Sequence, residues 1–288
     1  LPDGFLPEAI QAQYRRSLLI LSTQIDWNGG ILAGNDSDVI QYNRDTYSYV
    51  WPRDGALVAN ALDLAGYPEH SRRFYQFAAS VLSEEGYFLH KYNPDGSLAS
   101  SWHPWVDNGK DQLPIQEDET ALVIWALWQH FVLYRDIDFI KPLYRQLIKR
   151  AGDFMVAYRD EETGLPGPSY DLWEERRGIL SFTVAAVFGG LTAASLFCDV
   201  FGEEQRARAY RKAASEIRDG ASKHLWREDL GRFCRMLSRG RRGTLEVDGT
   251  CDSSLWGLFA FGVYKPDDPR IAATMAVLRE RLWVGGAT

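Results

Sequence analysis

Cysteine is scarce in this chain: Cys198, Cys234 and Cys251 are the only three among 288 residues. An odd number, widely spaced and without a CxxC pair, specifies neither a disulfide framework nor a zinc site. Packing is their expected role, and no metal or other cofactor is called for. Excess positive charge is also missing. The net charge is −7 and the sequence pI about 5.3, which argues against nucleic acid or an anionic membrane as partner, because either is normally met by a basic face. No run of about 18 uninterrupted apolar residues occurs. The opening Leu1-Pro2-Asp3-Gly4 carries no basic stretch followed by an apolar one, as a leader would. The expected protein is soluble, either cytoplasmic or secreted with its signal already removed, and the Asn35-Asp36-Ser37 sequon matters only in the second case. No linker-like Pro, Gly or Ser tract divides the chain, so a single domain over 1–288 is expected.

What is abundant is aromatic and helical. Phe, Trp and Tyr make up 13% of residues, with ten tryptophans, and flat rings serve both large cores and stacking on sugar faces. Strands are hard to find, whereas helices follow one another and alternate in character. Segments 69–84, 138–156 and 203–225 are amphipathic: Phe74, Phe77, Ala78, Val81 and Leu82 recur at helical spacing beside Arg72, Arg73 and Glu84. Between them, Ala56–Ala65, Ala121–Trp128, Leu180–Val200 and Leu255–Val263 are apolar on nearly every side. A helix apolar all round must be enclosed. Enclosed and half-exposed helices in alternation imply two concentric layers, an all-α (α/α) barrel; with helices near 6–23 and 267–283 the count is about nine. An α-solenoid is the other architecture that stacks helix pairs, but no fixed-period repeat is visible.

Each enclosed helix is preceded by a polar or aromatic segment: Tyr47 to Asp54, Gln116 to Glu119, Tyr170 to Arg177, and Asp248 to Ser254. In an alternating double ring the inner helices run parallel, so these four segments should meet at one mouth. Capping is the plainer account of Asp118, Glu119, Asp252 and Ser253, since carboxylates and hydroxyls satisfy free N–H groups at a helix start. Capping does not account for Trp51 beside Arg53 and Asp54, nor for Trp173 beside Glu174 and Glu175. Rings for sugar faces and charged hydrogen bonds for sugar hydroxyls do.

On these words the sequence resembles the catalytic domain of glycoside hydrolase family 15, the glucoamylase family. Tyr170-Asp171-Leu172-Trp173-Glu174-Glu175 is similar to its general-acid motif, and Tyr47-Ser48-Tyr49-Val50-Trp51-Pro52-Arg53-Asp54 to the segment that grips the non-reducing sugar. Pro114-Ile115-Gln116-Glu117-Asp118-Glu119-Thr120-Ala121-Leu122 resembles the bacterial branch. The resemblance implies an (α/α)6 barrel, of which about nine of twelve helices are counted here. It also implies an inverting, exo-acting α-glucosidase releasing glucose from α-1,4-glucans or oligosaccharides. Glu174 would be the general acid, Arg53 and Asp54 would bind sugar hydroxyls, Tyr47 would lie near the reacting carbon, and Trp51, Asp171, Trp173 and Glu175 would line or support the first two sugar positions. A proton donor must be kept protonated; Glu175, Asp171 and an adjacent indole are expected to raise the pKa of Glu174 by negative charge and desolvation.

The resemblance also sets out departures. Fungal members carry a tryptophan shortly before the second enclosed helix, where this chain has Gln112 and Leu113; Trp102 and Trp105 are the nearest candidates for the sugar platform. None of the carboxylates matches the family's general-base motif, so no residue is named as the base. By resemblance the base and the last barrel helices would follow Thr288, supplied by a further segment or by a second chain covering the gap, and these 288 residues alone would hydrolyse α-glucosides poorly. Glucodextranase, isomaltose-cleaving and trehalose-cleaving activities stay open within the family, as does a non-catalytic glucan-binding module.

Overall fold

The computed structural model describes residues 6–35, 47–107, 109–240 and 243–285; Asp36 and Ser37 of the sequon lie outside them. Nine helices occur among the described residues: α1 (Glu8–Thr23), α2 (Pro52–Leu64), α3 (Pro68–Val81), α4 (Glu117–Tyr134), α5 (137–157), α6 (Ser181–Val200), α7 (204–225), α8 (253–260) and α9 (Pro269–Leu282). Local chemistry sets the boundaries. Proline occupies the first turn of α2, α3 and α9, where its missing N–H costs nothing and its fixed φ suits the helix. Asp136 and Asp268 cap α5 and α9 through their carboxylates. Pro142 lies inside α5, which passes into a π turn at Tyr144–Lys149.

The layers follow helix character. α2, α4 and α6 pack side by side as the inner row, while α3 packs on α2 and α7 on α6 from outside. This is the (α/α)6 barrel arrangement, with nine helices. α6 is long and apolar enough to cross a membrane by length and composition, yet 89% of its apolar window is buried inside the fold, so it is a core helix here. It approaches α4 closely at Gly190, where an added Cβ would lie 2.8 Å from the Ala121 carbonyl oxygen. Backbone cannot swing aside as a side chain can, so Gly190→Ala should lower the unfolding free energy by about 1–3 kcal/mol, read from chemical denaturation.

Three features depart from the sequence reading. The fourth enclosed segment, expected over Leu255–Val263, is only a 3-10 turn (Ser253–Trp256) running into one α turn (Gly257–Ala260). Gly262, with φ +85°, ends it. Its apolar character reflects Phe261 packing between Trp125, Phe182 and Trp256. Strands, hard to find in the sequence, are present as eight short ones among the described residues. They form hairpins β1 (Val106–Asp107) with β2 (Lys110–Asp111) and β5 (Trp226–Arg227) with β6 (Arg232–Phe233). The others, β3 (Ser169–Tyr170), β4 (Arg177–Leu180), β7 (Met236–Arg239) and β8 (Leu245–Asp248), make an antiparallel sheet in that order. Runs of two to four residues are too short for a period-2 pattern to register. Finally, α1 has no buried residue, and Leu19 of α1, Leu64 of α2, and Trp283 and Val284 after α9 are exposed apolar side chains.

Candidate active site

The starts of the inner helices meet through their side chains. Arg53, in the first turn of α2, reaches Asp118 in the first turn of α4 at 3.1 Å, and Asp118 accepts a hydrogen bond from Thr183 in the first turn of α6 at 3.2 Å. Arg53 also pairs with Asp54 at 3.2 Å, lies 3.8 Å from Glu119, and donates to the Gln116 side-chain carbonyl. Asp118 and Glu119 therefore serve Arg53, and the start of α4 has no side-chain cap. Asp252 does cap, accepting from the Ser254 N–H at 2.8 Å, and it also receives Trp173 Nε1 and Arg235 Nε, each at 2.9 Å.

Glu117, Asp118 and Glu119 are fully buried. Burial pushes all three carboxyls up, Arg53 opposing it for Asp118 and Glu119, and neither oxygen of Glu117 has a hydrogen-bond partner among the described residues. A carboxyl whose folded pKa exceeds its unfolded value holds a proton that the unfolded chain has lost, so stability present below the ordinary carboxyl range is lost as pH rises. His103 acts oppositely: burial and the neighbouring His90 push it down to about 3 from 6.5, so its contribution is lost as pH falls through that window. Above pH 6.5 the His103 contribution no longer changes, and the raised carboxyls act in one direction. Stability should then decline with pH, and Glu117→Gln should flatten the decline in denaturation curves taken across pH.

Glu174 stands on a turn that Asp171 builds. Asp171 Oδ1 accepts the Glu175 and Arg176 N–H groups at 2.8 and 3.2 Å, and its Oδ2 takes Arg235 at 2.6 Å. Glu174 thereby adopts φ +62°, the left-handed region that a non-glycine residue enters at a cost. Among the described non-glycine residues only Arg135 shares it. The carboxylate points at Trp51, whose buried indole donates from Nε1 to Glu174 Oε1 at 2.6 Å. The Gln116 side-chain N–H reaches the same oxygen at 3.4 Å. His90 Nε2 is 3.1 Å away, with its N–H off the line of an ideal hydrogen bond.

Electrostatics at Glu174 differ from the sequence expectation. Burial raises its pKa, but the interaction with His90, the Trp51 indole and the nearby Arg53 outweigh it, so the carboxyl lies below its ordinary value. Asp171 and Glu175 are not among the dominant influences on it; both are tied to the buried Arg235, Glu175 at 2.5 Å.

Of the aromatic candidates, Tyr47 is exposed and stacks on Trp51 with centroids 5.8 Å apart, and Trp102, also partly exposed, closes the cluster 6.0 Å from Trp51. Lys91 Nζ lies 3.2 Å from the Trp102 ring centroid and 4.4 Å from that of Tyr49, a cation enclosed by ring faces. Trp173 is exposed, its indole turned to Asp252 rather than to Trp51. Trp105 is exposed beside the β1–β2 hairpin, and the ring contacts described for Tyr47, Trp51 and Trp102 do not include it.

Several site residues escaped the sequence reading: His90, Lys91, His103, Gln116 as a side-chain donor, and Arg235. The first three lie in the irregular stretch between α3 and α4. Val50 and Tyr92 exchange backbone hydrogen bonds at 2.8 and 3.0 Å, which carries His90 and Lys91 against Trp51. Two histidines and a lysine among Trp102 and Trp105, just ahead of an enclosed helix, were the available signal.

A double layer of helices with an acidic turn, an arginine fork and indoles at the mouth of its inner row defines a glycosidase-type (α/α)6 domain. The chain belongs to glycosyl hydrolases family 15, whose model matches residues 11–287. An uncharacterized glycosyl hydrolase of Methanocaldococcus jannaschii is 28% identical over 276 residues, covering 94% of this chain and 40% of that protein. A glucoamylase of a Clostridium species is 25% identical over 289 residues, covering 94% of this chain and 36% of that protein. The chain thus spans about two fifths of the length of these relatives. Among solved structures, a bacterial glucoamylase complexed with acarbose superimposes with a TM-score of 0.72 at 23% identity, over 93% of this chain and 39% of that one.

Proposed function

We propose that this domain supplies the sugar-binding mouth and the proton donor of an inverting, exo-acting α-glucosidase that releases glucose from the non-reducing ends of α-1,4-glucans. The observation that carries the reading is the convergence on Glu174: a part-buried carboxyl on a strained turn, beside the Arg53–Asp54 pair and the open faces of Tyr47 and Trp102. Arg53 and Asp54 offer donors and an acceptor to the hydroxyls of a terminal sugar, and the rings offer it an apolar face. Glu174 gives its proton to the leaving glycosidic oxygen. Inversion then needs a second carboxylate about 6.5–9.5 Å across the bond to activate water; no residue among these 288 is assigned that role. The glucoamylase among the relatives supports an activity of the glucoamylase type.

The test is a substrate panel of maltose, isomaltose, trehalose and dextran, with the anomeric form of the first product followed by NMR. Preference for maltose and release of β-glucose are expected. Preference for isomaltose or dextran, or for trehalose, would redirect the linkage, and release of α-glucose would overturn inversion. Binding of maltose without hydrolysis of any member would mark a glucan-binding module.

A further inference from the structure

The two oxygens of Glu174 are in different surroundings. Three N–H groups converge on Oε1: the Trp51 indole at 2.6 Å, His90 Nε2 at 3.1 Å and the Gln116 amide at 3.4 Å. Among the described residues none reaches Oε2. The orientation of each donor is set by its other contacts. Gln116 turns its carbonyl to Arg53, so its NH2 faces both Glu174 and His103 Nε2, the latter at 3.2 Å. His103 is buried and neutral through the ordinary pH range, so its Nε2 is free to accept. Ser101 Oγ accepts the His103 backbone N–H at 3.0 Å and has its own proton to give to His90 Nδ1 at 3.1 Å; the Trp102 backbone N–H points at the same nitrogen at 3.4 Å. With two donors at Nδ1, a ring N–H of His90 belongs at Nε2, facing Glu174.

We infer that His90 is a positioning residue that, with Trp51 and Gln116, keeps Oε1 of Glu174 bare and so directs the transferable proton to Oε2. The inference rests on reading Glu174 as the proton donor. A proton on Oε1 would be crowded by the N–H groups of Trp51, Gln116 and His90, whereas Oε2 has no N–H facing it among the described residues. When it passes from Oε2 to the leaving oxygen, the O–H bond breaks at Glu174, a new one forms at the departing sugar, and the carboxylate charge settles where Oε1 already has its donors. The off-line N–H of His90 can tighten at that moment, since catalytic hydrogen bonds often align only as charge develops. Charged and titratable groups facing Glu174 are Arg53, His90, His103 and Glu119, with Lys91 next along the chain from His90. Of these, His90 stands at hydrogen-bonding distance from Oε1.

The experiment is a carboxyl-carbon NMR titration of Glu174 in the full protein, its resonance assigned by its disappearance in Glu174→Gln. In His90→Phe the midpoint should rise by about one pH unit, a tenfold change in acidity. Ser101→Ala, at an exposed position where folding is not at stake, releases Nδ1 and should shift the midpoint in the same direction by a smaller amount. In kcat the alkaline limb, which reports loss of the donor's proton, should move up with the midpoint while KM changes little. An unmoved midpoint in both variants overturns the role of His90. If Glu174→Gln instead keeps full activity, the proton-donor reading fails, and the titration still decides whether His90 controls that carboxyl.

Discussion

Glu174→Gln should lower kcat by between about 100- and 10,000-fold, the span a positioned general acid contributes, while the affinity for maltose stays within a few fold. The amide fills the same volume and can still meet the Trp51 indole, yet it has no proton to give. Equal loss in kcat and kcat/KM is the signature of an interaction used only in the transition state. A substrate whose leaving group needs no proton, such as an activated aryl α-glucoside, should lose much less, and an equal loss on both substrates would show that Glu174 does something other than donate. Because His90, the Trp51 indole and Arg53 together outweigh burial and hold the carboxyl below its ordinary value, wild-type activity should decline on the alkaline side early, as pH rises through an acidic midpoint.

The second large effect is expected at Arg53, where one buried guanidinium serves Asp118, Glu119, Asp54 and Gln116 together. Arg53→Met should cost about 3–5 kcal/mol of unfolding free energy, because it leaves buried carboxylates without their counter-charge. Part of that loss should be recovered at low pH, where Asp118 and Glu119 accept protons, and the fall of stability with rising pH should steepen. Lys at this position should not restore the wild type, since a point charge cannot span four partners that a planar fork reaches. Denaturation at two pH values separates this account from a simple packing defect, which would cost the same at both.

These results bear on residues that the sequence presented unequally. The enclosed helices α4 and α6 were legible because burial on all sides removes polar residues from a whole segment, and that is written locally; α2, equally apolar in sequence, leaves Ala61 and Leu64 exposed. The fourth enclosed segment was legible as apolar but not as short, since the same composition suits a ring cluster around Phe261. That the segments holding Arg53, Asp118 and Glu174 meet at one mouth was expected from parallel inner helices, whereas the part of Thr183 was not. Capping, the plainer account of Asp118 and Glu119, gave way because their carboxylates face Arg53 across the ring.

By itself the sequence determined the family, the two-layer helical architecture and the acidic turn that carries Glu174, all properties of residue type and spacing within a few turns of chain. The tertiary structure alone decided what surrounds that carboxyl. Trp51 reaches it across 123 residues of sequence and Gln116 across 58, and His90 arrives because Tyr92 pairs with Val50. It also reversed the expected direction of the Glu174 pKa: the neighbours adjacent in sequence, Asp171 and Glu175, are neutralised by Arg235. Hydrophobic period records which face of a segment is buried, whereas the sign of a pKa depends on the partners that folding brings within hydrogen-bonding distance, and these leave no local trace in the chain.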